Sequence, residues 1–561
     1  MSVRNGIVLL FALSTLSLLI GCGNNNNIAP IPPPSGSFSN SNLTGTYVFS
    51  VSGTDANGAT VVLVGSFAAN GGGKITGGTI DMNDADFSLQ TTPIAPISAA
   101  AISGGSTYNV SVDGRGQAVL GTTTPFGTIT LDFVLSSSSH GLITEFDENA
   151  SGSGTLDLQT SGLTQGSLTG PYAFSFSGIN SGLNAPLTTV GAFTLDANGI
   201  ISAGGEDFNN GDIASPYSNQ SLTGQVILGP ASPALTTLTT PSFETLTFDV
   251  YAIDSTHLKF IEMDTSPILV GDAYSQPSAT ISASTNAFTL SGFLPFSASS
   301  AVPLAAGGIV TTDGGGGIAG TEDYNSGGNT STNPISFSAN YSNAGSVTPS
   351  RFVLSNFSSF VGGTEYAAYP SSGGLLLMEI DNSGITSGAA YTQSTTAFGT
   401  ASEGYGLNLT GLNILGTVTG GEEEVDDIAE FTADATGSCD SFGDTLCGII
   451  DENFAPLSGG LQPIAGMALG GSYGNIDTTG RYGLSAAAGN SNISTLNGGF
   501  NLNFYTVDGT TFPFVELDQG QIATGVFVLQ NPAAATPATA HSHMFIARPL
   551  INPHAARAKK K

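Results

Sequence analysis

Over most of the chain, apolar residues alternate with small polar ones. Tyr47-Val48-Phe49-Ser50-Val51, Thr128 to Val134 and Leu156-Asp157-Leu158 all follow this rule. A period of two is the mark of a half-buried strand, and the β-branched and aromatic residues in these runs reinforce it. Glycine-rich stretches such as Asn70-Gly71-Gly72-Gly73 and Asp113-Gly114-Arg115-Gly116 separate the runs. They supply the positive φ that tight hairpins need. No segment of the mature body carries a long helical stripe. Up to residue 159 the pattern predicts strands near 46–52, 60–68, 74–82, 96–112, 117–122, 127–136, 141–147 and 153–159. Short connections make these a meander. Eight antiparallel strands can close on themselves and so remove exposed edges.

The same pattern then recurs. Glu145-Phe146-Asp147, Glu262-Met263-Asp264, Glu379-Ile380-Asp381 and Glu516-Leu517-Asp518 are each followed by Gly nine residues after the Glu and Gln fourteen after it. A second signature is Asp-x-Asn near the end of the third strand, at Asp81-Met82-Asn83, Asp207-Phe208-Asn209 and Asp323-Tyr324-Asn325; the fourth copy ends Asp451-Glu452-Asn453. Such repetition predicts tandem copies of one unit. The expected fold is therefore all-β, four tandem antiparallel repeats at 42–162, 165–280, 288–397 and 400–532. Each is expected to be an eight-stranded up-and-down barrel, with a β-sandwich of immunoglobulin type as the alternative. The opening Gly45-Thr46-Tyr47-Val48-Phe49 is similar to the Gly-x-Trp start of lipocalin-like barrels, with Tyr for Trp. Gly170-Pro171-Tyr172, Gly292-Phe293 and Gly404-Tyr405 read as its copies.

The N-terminus differs from the rest. Arg4 precedes an apolar run from Ile7 to Ile20. Fourteen helical residues reach roughly 21 Å, short of the roughly 30 Å hydrocarbon core, which suits a secretory signal rather than a span. The run ends in Leu19-Ile20-Gly21-Cys22, which resembles the lipobox of bacterial lipoproteins. That resemblance implies removal of 1–21 as a signal peptide, lipid on Cys22 and anchorage to a membrane. Gly23, where familiar sorting uses Asp for inner-membrane retention, favours the outer membrane or cell surface. Residues 22–41, rich in Asn and Pro, read as a flexible linker, and 533–561 as a basic tail rich in Ala and Pro. The body also resembles uncharacterised tandem β-repeat lipoproteins, a likeness that brings no activity with it.

Composition narrows the function. The net charge is −31, with charged residues at 9%. So acidic a body argues against nucleic acid, whose phosphates call for Lys and Arg. Apolar residues at 40% exclude a disordered chain. With Cys22 assigned to lipid, Cys439 and Cys447 form an even pair in an exported protein. They predict a disulfide in an enlarged hairpin of the fourth repeat.

Candidate chemistry is sparse. On a strand, Glu145 and Asp147 share a face, as do Glu262 and Asp264, Glu379 and Asp381, and Glu516 and Asp518. Paired carboxylates can do acid–base work or hold a cation, but four copies point to a structural demand of the repeat. Arg115, Arg351 and Arg481 precede the Glu of their own repeats by 30, 28 and 35 residues (145−115, 379−351, 516−481). A bidentate Arg–Glu clamp in repeats one, three and four is the expected partnership. Asp-x-Asn reads as turn capping, ahead of calcium binding at Asp81, Asn83, Asp84 and Asp86. The acidic run Glu422 to Asp427 reads as a solvated loop, with a cation site as the lesser alternative. No nucleophile elbow, zinc-binding His-Glu-x-x-His or phosphate loop is present. The expectation is an exported, lipid-anchored protein without catalysis, metal or cofactor. It would bind a glycan or envelope protein, with a structural spacer as the alternative and a carboxylate hydrolase last.

Overall fold

A computed structural model describes residues 37–532. Stretches 90–93, 182–184, 212–215, 229–233, 240–244, 298–299, 346–349, 359–363, 400–402, 415–422, 435–438, 440–443, 456–460, 462 and 489–499 lie outside the described residues. Cys22, the signal, most of the linker and the tail also lie outside them. In the first repeat the strands are β1 (Thr44–Asp55), β2 (Thr60–Asn70), β3 (Ile75–Asp84), β4 (Ile97–Ile102), β5 (Thr107–Val110), β6 (Arg115–Gly121), β7 (Thr128–Leu135), β8 (His140–Phe146) and β9 (Ala150–Leu158). All neighbours are antiparallel, and β9 returns to pair with β1. This is a barrel and not a sandwich. Where one long strand was expected over 96–112, a turn at Ser103-Gly104-Gly105-Ser106 splits it in two. β4 pairs with β3 and β5 with β6. Isolated bridges Lys74–Thr107 and Ile102–Thr122 join the wall across the break.

The second repeat has the same nine strands and the same break, bridged by Ile200–Gln225. The third closes fully through pairing of Ser300–Thr312 with Gly317–Ser326, and the fourth is a closed eight-stranded barrel. Two outer boundaries differ from the sequence reading. The third repeat opens at Ser284, so Gly292 lies mid-strand rather than at the start. The linker ends before residue 41, because Phe38 is buried in the first barrel's core.

Odd–even alternation sends one row of each strand into its barrel. Tyr47, Phe49, Phe67, Leu131 and Phe133 fill the first. Phe174, Phe176, Phe248 and Phe260 fill the second. In the fourth, Phe398 packs edge-on against Phe504, Phe512 and Phe527 and at a tilt against Tyr405. Burying a side chain of this size contributes about 1.5–3 kcal/mol, so each repeat owns a sizeable core. The signature glycine of the last strand is explained at the same time. A Cβ on Gly154, Gly271, Gly388 or Gly525 would land on the main-chain oxygen of Ser50, Ser175, Thr289 or Asn408 in the first strand.

The outward rows of strands one to three pack against the closing strands of the following repeat, the last three in repeats one to three and the last two in repeat four. Val48, Val62 and Val64 meet Tyr251, Ile261 and Val270 between repeats one and two. Ala173, Val190 and Ala192 meet Tyr369, Leu376 and Met378 between two and three. Ala305 and Ile309 meet Tyr505 and Val515 between three and four. The series does not stop there. Ile428 and Val528 of the fourth repeat pack on Val134 and Leu142 of the first. The four barrels form a closed ring in which every joint is the same head-to-tail contact.

Candidate functional site

The repeat signatures converge at these joints. Gln159 Nε2 donates to the carbonyl of Ala252 at 2.7 Å, Gln276 to Pro370 at 2.7 Å, Gln393 to Thr506 at 2.9 Å and Gln530 to Leu135 at 3.0 Å. The four acceptors occupy one equivalent position, at the end of the third-from-last strand of the repeat or just past it. Asn83 Nδ2 donates to the main-chain oxygens of Glu262 and Asp264, both at 2.9 Å. Asn209 reaches Glu379 O at 3.2 Å and Asn325 reaches Glu516 O at 3.2 Å. Asn453 crosses the closure to Glu145 O at 2.9 Å. Asp-x-Asn was expected to cap a turn of its own repeat. Its Asn instead ties the third strand to the eighth-strand turn of the next repeat.

The arginines correct a second expectation. The structure contains no Arg–Glu clamp among the described residues. Arg351 grips Asp207 of the preceding repeat through Nε and Nη2, both at 2.7 Å, and Tyr369 Oη adds a third bond at 2.7 Å. Arg481 grips Asp323 in the same way, with Tyr505 Oη at 2.8 Å. Arg115 is turned toward Asp113 at 3.1 Å and stands 3.8 Å from Asp451. The reason is the wall itself. Arg351 alternates with Phe352 and Leu354, which point inward, so it faces outward, whereas Glu379 shares the inward row with Leu377. A clamp between them would have to pass through the barrel wall.

The Glu-x-Asp pair divides its labour. Asp147, Asp264, Asp381 and Asp518 accept the main-chain amides of Thr130, Thr247, Glu365 and Asn501 at 2.7–2.8 Å, stapling strand seven to the turn after strand eight. Glu145, Glu262, Glu379 and Glu516 point into the barrel floor and are buried. Burial pushes the carboxyl of Glu379 up to about 8 and those of Glu145 and Glu516 well above the usual range; the neighbouring Asp adds to the rise each time. All four Glu side chains are 0–1% exposed and turned away from the surface where a substrate would arrive.

Between repeats one and two, where no arginine is available, the chemistry differs. Lys259 Nζ is fully buried and bonds Thr155 at 2.7 Å and Asp272 at 3.1 Å, with Asp157 at 3.6 Å. His140 lies 2.7 Å from Asp157, and His257 lies 2.6 Å from Asp272. Asp81, the counterpart of Asp207, has Tyr251 beside it and no cation, and burial raises its carboxyl to about 7.

No protein-family model and no curated protein matches the chain. Among solved structures, it is similar to a point mutant of the vaccine antigen Transferrin Binding Protein B from Haemophilus parasuis Hp5. The identity is 9%, over 72% of this chain and 86% of that one, with a TM-score of 0.18. So loose a superposition carries no argument about what this chain binds.

Cys439 and Cys447 are joined, as expected from their even number, and staple the second hairpin of the fourth repeat. The acidic run corrects another expectation. Asp426 and Asp427 are fully buried rather than solvated. Asp426 accepts hydrogen bonds from Ser151 and Ser153 across the closure, both at 2.7 Å. A cavity of about 20 Å³ lies between repeats three and four, lined by Phe293, Leu304 and Ile522 among others, with room for little more than a water molecule. No helix among the described residues is long and apolar enough to cross a membrane.

Proposed function

We propose that this chain is an exported envelope protein, held to a membrane by lipid on Cys22, whose ring of barrels is a rigid, non-enzymatic binding or adhesion module. One observation carries the reading. The barrel interiors are filled and strands one to three and seven to nine are spent on neighbours, so recognition falls to the outward strands four to six and their loops. Large exposed apolar side chains lie in or beside that zone in three of the barrels, at Ile94 and Val112, at Tyr217 and Ile227, and at Ile476. Large exposed apolar residues rimmed by polar ones are a frequent mark of interaction surfaces. A glycan or an envelope protein is the fitting ligand class, since the body is too acidic for nucleic acid. A hydrolase built on the Glu-x-Asp pairs is disfavoured by the sealing of every Glu.

Two measurements test this. Cells fed labelled fatty acid are expected to label the protein, and Cys22→Ala is expected to abolish both the label and membrane fractionation. The lipid-free mature chain is expected to bind a subset of a glycan array or isolated envelope material, with loss on changing Val112, Tyr217 and Ile227 to Ser. Binding that is absent throughout would leave the spacer reading in its place.

A further inference from the structure

Equivalent floor positions in the four barrels do not carry equivalent residues. Register fixes the correspondence, because Glu516 pairs with Leu502 as Glu145 pairs with Leu131. In the first barrel, Leu63 on β2 and Met82 on β3 point into the core, and Ala150 on β9 joins them. The second barrel has Thr189, Phe208 and Pro267 at these places, and the third has Ala306, Tyr324 and Gly384. In the fourth they are Asp427, Glu452 and Gln521. With Glu516, which every barrel has, this floor holds three carboxyl groups and a carboxamide.

All four are on inward rows. Asp427 shares its row with Val425 and Ala429, Glu452 with Ile450 and Phe454, Glu516 with Phe512 and Phe514, and Gln521 with Ala523. Their exposures are 0%, 0%, 1% and 2%. Both oxygens of Asp427, Oε2 of Glu516 and both amide atoms of Gln521 have no hydrogen-bond partner. Asp427 and Glu452 face one another across paired strands. A buried polar group without a partner costs roughly 1–3 kcal/mol, and a buried lone charge more. Polar replacement of core residues by Asp427 and Gln521, in one barrel of four, would be strongly destabilising if nothing answered them.

We propose that the floor of the fourth barrel is a cation site, with Asp427, Glu452 and Glu516 as carboxylate ligands and the Gln521 side-chain oxygen as a neutral one. The donors are all hard oxygens, with no imidazole or thiolate, which fits calcium rather than zinc or copper. The three carboxylates stand wider than the mutual 4.8 Å at which Asp55, Asp84 and Asp86 lie in the first barrel. Coordination would therefore draw the long Glu452 and Glu516 side chains inward. The trio Asp55, Asp84 and Asp86, two of them buried, carries no proposal, because its carboxylates are already engaged by Asn57 and by main-chain amides.

The test uses the full mature chain, stripped with chelator and titrated with calcium alone by calorimetry and by thermal unfolding. Uptake of an ion with a rise of several degrees in the unfolding midpoint is expected. Replacing the floor by the first barrel's residues, Asp427→Leu with Glu452→Met and Gln521→Ala, is expected to keep the fold and abolish both effects. Glu452→Gln alone, which removes charge but little volume, is expected to weaken binding at least tenfold. Asp84→Asn is expected to change nothing. The proposal is overturned if the stripped chain takes up no calcium. It is equally overturned if uptake survives in Glu452→Gln, or is lost in Asp84→Asn instead.

Discussion

The joint between repeats two and three and the joint that closes the ring between four and one share their geometry but not their chemistry. Both have the Gln and Asn donors reaching main-chain oxygens of the next barrel. Only the first has the buried triad of Asp207, Arg351 and Tyr369. At the closure, Val134 stands where Tyr369 would, Arg115 leans away to Asp113, and Ser151 and Ser153 satisfy Asp426. The difference teaches which part of a joint is interchangeable. A main-chain carbonyl is there whatever the sequence, so its donor can be the same residue in four copies. A charged pair needs both partners at once and can be replaced as a unit.

The largest effect should come from breaking a triad. Arg351→Met leaves Asp207 buried without its cation, and a loss of about 3–5 kcal/mol in denaturant unfolding is expected. Arg115→Met, at the half-exposed counterpart, is expected to cost less than about 1 kcal/mol. Equal losses would remove the distinction between the joints.

A smaller effect should follow pH at the joint that has Asp81 without an arginine. Its carboxyl is raised to about 7 by burial, with Asp249 nearby adding to the rise. A raised acid binds its proton more tightly when folded. Its stabilisation is complete below the unfolded value near 4 and is lost as pH rises through 7. Protection from hydrogen exchange at the joint of repeats one and two is expected to fall between pH 5 and pH 8. Asp81→Asn should flatten that fall. An undiminished fall in Asp81→Asn would contradict the assignment.

The smallest effects belong to the shared latches. Gln530→Ala and Gln276→Ala are each expected to cost about 1 kcal/mol, since each strands a carbonyl that another donor or water can partly serve. Their similarity is the point of the measurement. If Gln276→Ala were far more costly, the latch and the triad would not be independent.

Much of the fold was legible in the chain. Alternation gave the strands, the Glu-to-Gln spacing gave four units, and closure followed from eight strands without edges to spare. The split of the expected strand at Gly104-Gly105 was hidden only in being read as a single run. The joints were not legible, for a physical reason. Gln159 and Asn83 were visible as recurring residues, but their acceptors are main-chain atoms 93 and 179 residues away, which have no sequence identity to search for. The Arg–Glu expectation erred because spacing was weighed without the parity that decides which side of a wall a side chain takes. The buried floor of the fourth barrel is hidden in the charge run Glu422 to Asp427, although Val425 and Asp427 continue the inward row of Ala429 and Phe431.

The adjacency of the first and last repeats has a consequence for how the chain is threaded. Asn42 donates to the carbonyl of Pro532 at 3.2 Å, so the two extremities of the folded body meet. Circularly permuted genes, opened in any of the three segments that link one barrel to the next and sealed by a short linker between residues 532 and 37, which keeps the buried Phe38, should fold to the same molecule. Which barrel is synthesised first is then a property of the gene and not of the architecture.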